Sequence, residues 1–181
     1  MVTALRAACA ALCVTLAACG SGGGGTKPAP SRVPANLRLT SPDFKPGGTL
    51  PTDDTCDGSG HRPALNIKGV PQGAKALVVI LHDPDAPGRD FTHWTFYDVP
   101  PAVSGIAAKL PPGNEGLNDF GKAGYGPPCP PKGDKPHHYM FELYALREKT
   151  GLPVGASPGD VRSAAERLAL GRGALVATYG R

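Results

Sequence analysis

Asp83 and Asp85 sit two positions apart in Asp83-Pro84-Asp85-Ala86-Pro87, with His93 shortly after them and the pair His137 and Tyr139 further on. Carboxylates near imidazoles can hold a proton, orient a ring or ligate a metal. Imidazole N–H and phenol O–H groups can instead donate to an oxyanion. The residue types alone leave these chemistries open, and the elements carrying the residues narrow the choice.

Residues 76–81, Ala-Leu-Val-Val-Ile-Leu, form a short apolar run rich in β-branched side chains, which reads as a buried strand. Two prolines after it stop sheet pairing and stiffen the backbone, so both aspartates ride on a rigid turn. A second strand is expected over 93–99, with His93, Thr95 and Tyr97 on one face and Trp94 and Phe96 on the other, in the core. A third, over 139–146, puts Tyr139, Phe141, Leu143 and Ala145 on one side. By the same alternation His137 shares the Tyr139 face and His138 points away. Further strands are expected over 37–40, 64–68 and 174–179.

Gly and Pro separate these runs at intervals that fit an antiparallel β-sandwich, mainly β, better than an alternating βαβ array. One helix is expected over 161–170, capped by Ser157 or Asp160, with Pro158 near its first turn and Gly171 past its end. Val161, Ala164, Ala165, Leu168 and Ala169 fall at helical spacing and form its core face. The segment 110–133 has no periodicity and is dense in Gly and Pro, yet Phe120, Tyr125 and Cys129 argue for an ordered loop folded on the body.

The chain has 181 residues and a net charge of +4, close to +3 once Arg6 is removed. That charge is spread without a basic run, which argues against nucleic acid as a partner. Residues 1–18 pair one positive charge with an apolar stretch too short to span a membrane, as in a signal peptide. Leu16-Ala17-Ala18-Cys19 resembles a bacterial lipobox. Cys19 is therefore the expected lipidated residue, anchoring an exported protein to the cell membrane. The Gly/Ser/Pro-rich stretch 20–36 reads as a tether spanning roughly 20–25 Å, ahead of one domain over 37–181. Cys9 and Cys13 leave with the signal peptide, so Cys56 and Cys129 remain. Outside the cytoplasm a disulfide between them is expected, with two buried free thiols as the alternative.

Taken together, Asp83-Pro84-Asp85-Ala86-Pro87, His93-Trp94, Gly124-Tyr125-Gly126-Pro127, Pro130-Pro131 and His137-His138-Tyr139-Met140-Phe141 resemble the phosphatidylethanolamine-binding protein family. The likeness is greatest to its bacterial branch, related to Raf kinase inhibitor proteins, and runs from about residue 42 to the C-terminus. It implies a β-sandwich with a C-terminal helix and a small, preformed pocket for phosphate-type anions. By position, Asp83 matches the family's pocket aspartate and His93 the histidine of the following strand. Pro130 and Pro131 match the pocket rim, and His137 and Tyr139 the His-x-Tyr pair. One stretch departs from the pattern: the family's Asn-x-Ser-Pro-x-Leu-x-Trp is here residues 60–67, with Arg62 for the serine and Ile67 for the tryptophan.

These residues predict non-catalytic binding of a phosphate-bearing headgroup or related small anion, with no cofactor and no metal. His93, His137 and Tyr139 would donate, amides near Gly126 would assist, and Asp83 would keep a histidine charged. Asp85 is expected to cap the turn, and His61, His82 and His138 to lie at the surface or in turns. Two other classes compete. A metal-dependent hydrolase would use Asp83, Asp85, His93 and His137. A protein-interaction module, such as a protease or kinase inhibitor, would use surfaces these motifs do not mark. A serine hydrolase lacks its Gly-x-Ser-x-Gly turn.

Overall fold

The computed structural model describes residues 37–181. The expected signal peptide, Cys19 and the tether lie outside the described residues. Among the described residues no helix is long and apolar enough to cross a membrane.

Strand β3 (Ala76–Asp83) is the axis of the fold, and every one of its residues is buried. A strand buried on both faces needs cover on both sides, which its continuous apolar run supplies. β3 pairs antiparallel with β4 (Phe91–Val99) and with β7 (His137–Leu146). A short β6 (Asn114–Glu115) extends the sheet beyond β4, and β8 (Ala169–Tyr179) extends it beyond β7, giving the order β6-β4-β3-β7-β8. A second antiparallel sheet joins β1 (Arg38–Thr40), β2 (Leu65–Lys68) and β5 (Gly105–Ile106) in the order β1-β2-β5.

Alternate residues of the large sheet face two cores. Leu77, Val79, Leu81, Trp94, Phe96, Tyr139, Phe141 and Leu143 pack with Leu39, Leu65, Ile67 and Ile106 of the small sheet. Val78, Ile80, Tyr97, Tyr144 and Leu146 pack on the opposite side against Val161, Ala165 and Leu168 of α1 (Pro158–Leu168). The architecture is the expected antiparallel sandwich with a C-terminal helix.

Two differences from the sequence reading change where residues are placed. The Ser157 side chain accepts from the Asp160 N–H and caps α1, with Pro158 at its start. At the other end the helix stops at Leu168, and Ala169 is already extended and opens β8. Gly171 is thus a strand residue and not a helix stop, and Ala169 leaves the helical core face. The strand pairing of β7 with β8 outweighs the helical spacing there, as tertiary contacts commonly override local propensity. Gly173, in the same strand, has the Leu37 carbonyl oxygen 2.4 Å from where a Cβ would stand. Only glycine lets β8 approach the chain entering β1.

The second correction is His82, which is 7% exposed and not a turn residue. β3 runs two residues further than the apolar run, carrying His82 under α1. Its Nδ1 pairs with Asp90 at 2.7 Å, and its Nε2 lies 3.6 Å from Glu142. Glu142 is buried; burial pushes its pKa up, but the charges of Arg162, at 2.7 Å, and Arg172 outweigh this and hold the carboxyl below its usual range.

The expected disulfide is formed: Cys56 and Cys129 are bonded across 73 residues, with the Arg181 guanidinium against both sulfurs.

Two stability outcomes follow. Replacing both Cys56 and Cys129 by alanine should cost about 2–4 kcal/mol, seen as a lower urea midpoint with a steeper slope, because the unfolded chain loses a long-range restraint and expands. Arg162→Met should cost roughly 1–3 kcal/mol at pH 7 by leaving Glu142 under-partnered. A carboxyl with a depressed folded pKa stabilises above its unfolded pKa, and the gain is lost as pH falls through the folded value. The Arg162→Met deficit should therefore shrink in acid, and an equal deficit at pH 7 and pH 3 would contradict this role.

Candidate functional site

Asp83 ends β3 on the face of Leu81 and is 3% exposed. Its Oδ1 accepts the Asp85 N–H at 2.9 Å, closing the turn that the two prolines stiffen. Its Oδ2 accepts from His137 Nδ1 at 2.8 Å. His137 is the first residue of β7, on the Tyr139 face and 5% exposed. With Nδ1 bound to a carboxylate, its Nε2 is the nitrogen left for a ligand, the nearest carboxylate to it being Asp134 at 3.9 Å.

His93 reaches the same place by a route that strand alternation does not predict. The β3–β4 register runs Leu81↔Trp94 and then His82↔Thr92, so His93 is an extra residue in a β-bulge. The bulge takes His93 off the face of Thr95 and Tyr97 and onto that of Trp94. There its ring meets Tyr139 edge-on at 5.4 Å. Its Nδ1–H donates to the Gly126 carbonyl at 2.9 Å, so the neutral ring offers only an acceptor at its other nitrogen. Burial lowers the pKa of His93, opposed by the Gly126 hydrogen bond and the charge of Asp83.

Tyr139 is fully buried, and its hydroxyl has no hydrogen-bond partner. Burial first, and then the negative charge of Asp83, push its pKa well above the ordinary phenol value, so it stays a donor. Asp83 is near enough to oppose its ionisation, but no hydrogen-bond geometry joins the two. A buried O–H without a partner costs on the order of 1–3 kcal/mol unless something else accepts from it.

These side chains surround a cavity of about 270 Å³ lined by Asp83, Ala86, Pro87, Phe91, His93, Phe120, Cys129, Pro130, Pro131, His137 and Tyr139. Phe91 was not singled out in the sequence, and Phe120 only as a sign that its loop is ordered, not as a site residue. Phe91 lies in register opposite Asp83, and Phe120 packs edge-on against Phe91 at 4.8 Å. Phe120 is 49% exposed, an aromatic lip on the loop over 110–133. The only hint of it is an aromatic residue in a Gly-rich loop. Gly126 makes room, since a Cβ there would stand 2.6 Å from the Phe120 ring.

Asp85 lies apart from this cluster. Its Oδ2 accepts from the His138 N–H at 2.8 Å and pairs with its Nδ1 at 2.7 Å. Hydrogen bonds from the His138 backbone and then its ring hold the Asp85 carboxyl below its usual range. The four residues a metal-dependent hydrolase would need are therefore split between the cavity and the outer side of the turn. Tyr125 anchors its loop by donating to the Asp54 carbonyl at 2.7 Å. Ile67 takes a place in the core, while Arg62 lies over the Trp94 ring at 5.1 Å.

The family model described as "Phosphatidylethanolamine-binding protein" matches residues 40–180. A "UPF0098 protein" of Aquifex aeolicus is 40% identical over 161 residues, covering 81% of this chain and 90% of its own. The Mycobacterium tuberculosis protein named "Putative lipoprotein LppC" is 34% identical and is matched over 98% of this chain and 96% of its own. The crystal structure of Escherichia coli YbcL, titled a new member of the mammalian PEBP family, has a TM-score of 0.77 at 36% identity, covering 81% of this chain and 99% of that one. With this match of sequence, fold and motif order, the chain belongs to the phosphatidylethanolamine-binding protein family.

Proposed function

We propose that the cavity between β3, β4 and β7 binds a phosphate-bearing headgroup or related small anion without transforming it. The observation that carries this reading is the Tyr139 hydroxyl, buried without a partner beside the imidazole that Asp83 orients. An oxyanion supplies the missing acceptor. His137, gripped through Nδ1 by a carboxylate, would donate from Nε2 when charged.

His93 takes the complementary part. Its Nδ1–H is committed to Gly126, so in its neutral form its free nitrogen accepts. A singly protonated phosphate brings the proton that this nitrogen needs. Asp83, adverse to a dianion by charge alone, becomes tolerable beside a monoanion with a charged His137 between them. Pro130 and Pro131 shape the rim, and Phe91 and Phe120 limit water. Cys129, the sulfur nearest the cavity, is held in the disulfide, which fits binding without covalent chemistry.

The same reading includes export and a lipid anchor on Cys19. The lipobox-like Leu16-Ala17-Ala18-Cys19 and the similarity to LppC over nearly the whole chain support it. A phospholipid headgroup would then be a ligand within reach of the protein's surroundings, and a soluble phosphate ester an equivalent one chemically.

Calorimetric titration with O-phosphorylethanolamine, in the presence of a chelator, tests this. Saturable binding is expected, lost on His137→Ala and weakened on the order of tenfold by Tyr139→Phe, which removes one charge-assisted hydrogen bond. Affinity should fall on the order of tenfold as pH rises from 5.5 to 8, because the phosphate's own proton, which the free nitrogen of His93 accepts, disappears. Binding that is flat across that range, or that needs a metal, would contradict the anion-pocket reading.

A further inference from the structure

The β3–β4–β7 cavity has a neighbour. A cleft of about 410 Å³, formed mainly by the loop over 110–133, adjoins it, and Phe120 and Cys129 line both spaces. The Phe120 ring stands between them. On one side it meets Phe91 and His93 edge-on, at 4.8 and 5.6 Å. On the other it lies by Gly126, where a Cβ would come within 2.6 Å of the ring. Phe91 and His93 line the first cavity and Gly126 lines the cleft. The ring is therefore a wall with a space on each side, and 49% of it is exposed.

What the cleft can hold follows from what its polar groups have already given away. Asn118 is buried; its Nδ2 donates to the Gly124 carbonyl at 2.9 Å, and its Oδ1 accepts the N–H groups of Phe120 and Lys122. The Tyr125 hydroxyl is spent on the Asp54 carbonyl. Gly126 gives its N–H to the His93 carbonyl at 2.7 Å, and its own carbonyl accepts from His93 Nδ1. Cys56 and Cys129 are bonded to each other, and the side chains of Phe120, Ala123 and Pro127 bring only carbon. Among the described residues lining the cleft, Lys122 is the one charged group, and no polar side chain besides it is unspent. Such a space gains little from a hydrogen-bonding occupant and gains from burying hydrocarbon.

We propose that the cleft is a tail subsite of the β3–β4–β7 cavity, and that the ligand is a soluble, single-chain phosphate monoester with an apolar body. Its phosphate lies among His93, His137 and Tyr139, and its hydrocarbon crosses the Phe120 ring into the cleft. The inference rests on the anion-binding reading above and names the class of ligand for it. Phe120 is the surface against which the first methylenes lie. Gly126 couples the two spaces, since it walls the cleft and fixes the His93 ring. A lipid held in a bilayer suits the pair less well, because its chains stay in the membrane and leave the cleft unfilled.

Calorimetric titration of the protein with methyl, butyl and hexyl phosphate at pH 6 tests the proposal. Hexyl phosphate is expected to bind on the order of tenfold tighter than methyl phosphate, since each methylene is worth about fourfold when fully buried and the cleft buries the chain in part. Ala123→Phe, which fills the cleft from a residue outside the first cavity, should remove that gain and leave the affinity for methyl phosphate unchanged. Equal affinity for the three esters would overturn the tail subsite and leave the anion reading standing, whereas no binding of any ester would overturn both. A chain-length gain that survives Ala123→Phe would overturn the assignment to this cleft. Should that variant fail to fold, amide NMR of the unaltered protein decides. Hexyl phosphate should then shift the signals of Cys56, Lys122 and Ala123, which methyl phosphate leaves in place, and equal shifts from the two esters would overturn the proposal. Phosphatidylcholine vesicles carrying phosphatidic acid should not displace hexyl phosphate. Displacement at matched phosphate concentration would reassign the site to a bilayer lipid and overturn the soluble ester.

Discussion

An acid at the end of a fully buried strand must find a donor inside the protein. Asp83 finds two: the backbone N–H of Asp85 and the imidazole of His137. The first closes the proline-stiffened turn, and the second joins the exit of β3 to the entry of β7. Both cores pack on β3 and β7, the two strands that meet at that junction, so their packing fixes the register that brings the two residues within 2.8 Å. Those two bonds leave the Tyr139 hydroxyl and the second imidazole nitrogen of His137 unspent beside the cavity.

Much of this was legible in the chain. The apolar run of β3, the alternation in β7 and the Ser157 cap each follow from local chemistry, and each lies where the spacing places it. His137 and His138 separate into buried and exposed as their parity demands. His93 did not follow its parity, because a bulge adds one residue to β4, and a bulge leaves no mark in the pattern of apolar residues. Its position in the family motif located it correctly in the chain, but not on which face it stands. His82 was misjudged for a related reason, since β3 outlasts its apolar run by two polar residues, whose partners, Asp90 and Glu142 for His82 and His137 for Asp83, come from distant segments.

The loop over 110–133 was the least readable segment and is the one that finishes the cavity. Its order comes from long-range contacts: Gly126 N–H to the His93 carbonyl, Tyr125 to Asp54, and Cys129 to Cys56. The disulfide therefore links the rim of the β3–β4–β7 cavity to the turn that carries Asp54. The stretch where this chain departs from its family's pattern, around Arg62, borders that same turn. Arg62 and Ile67 lie outside the lining of the β3–β4–β7 cavity, and Arg62 lines a neighbouring groove.

The central claim is that Asp83 and His137 act together as an anion-receiving pair, with His93 as acceptor. Nitrogen-15 NMR of the imidazole rings, with and without O-phosphorylethanolamine at pH 6.5, reports this directly. The account predicts that His137 carries a proton on both nitrogens in the complex, while His93 keeps its proton on Nδ1 alone. Ring signals unchanged at both histidines on saturation, or a His137 neutral in the complex, would contradict it.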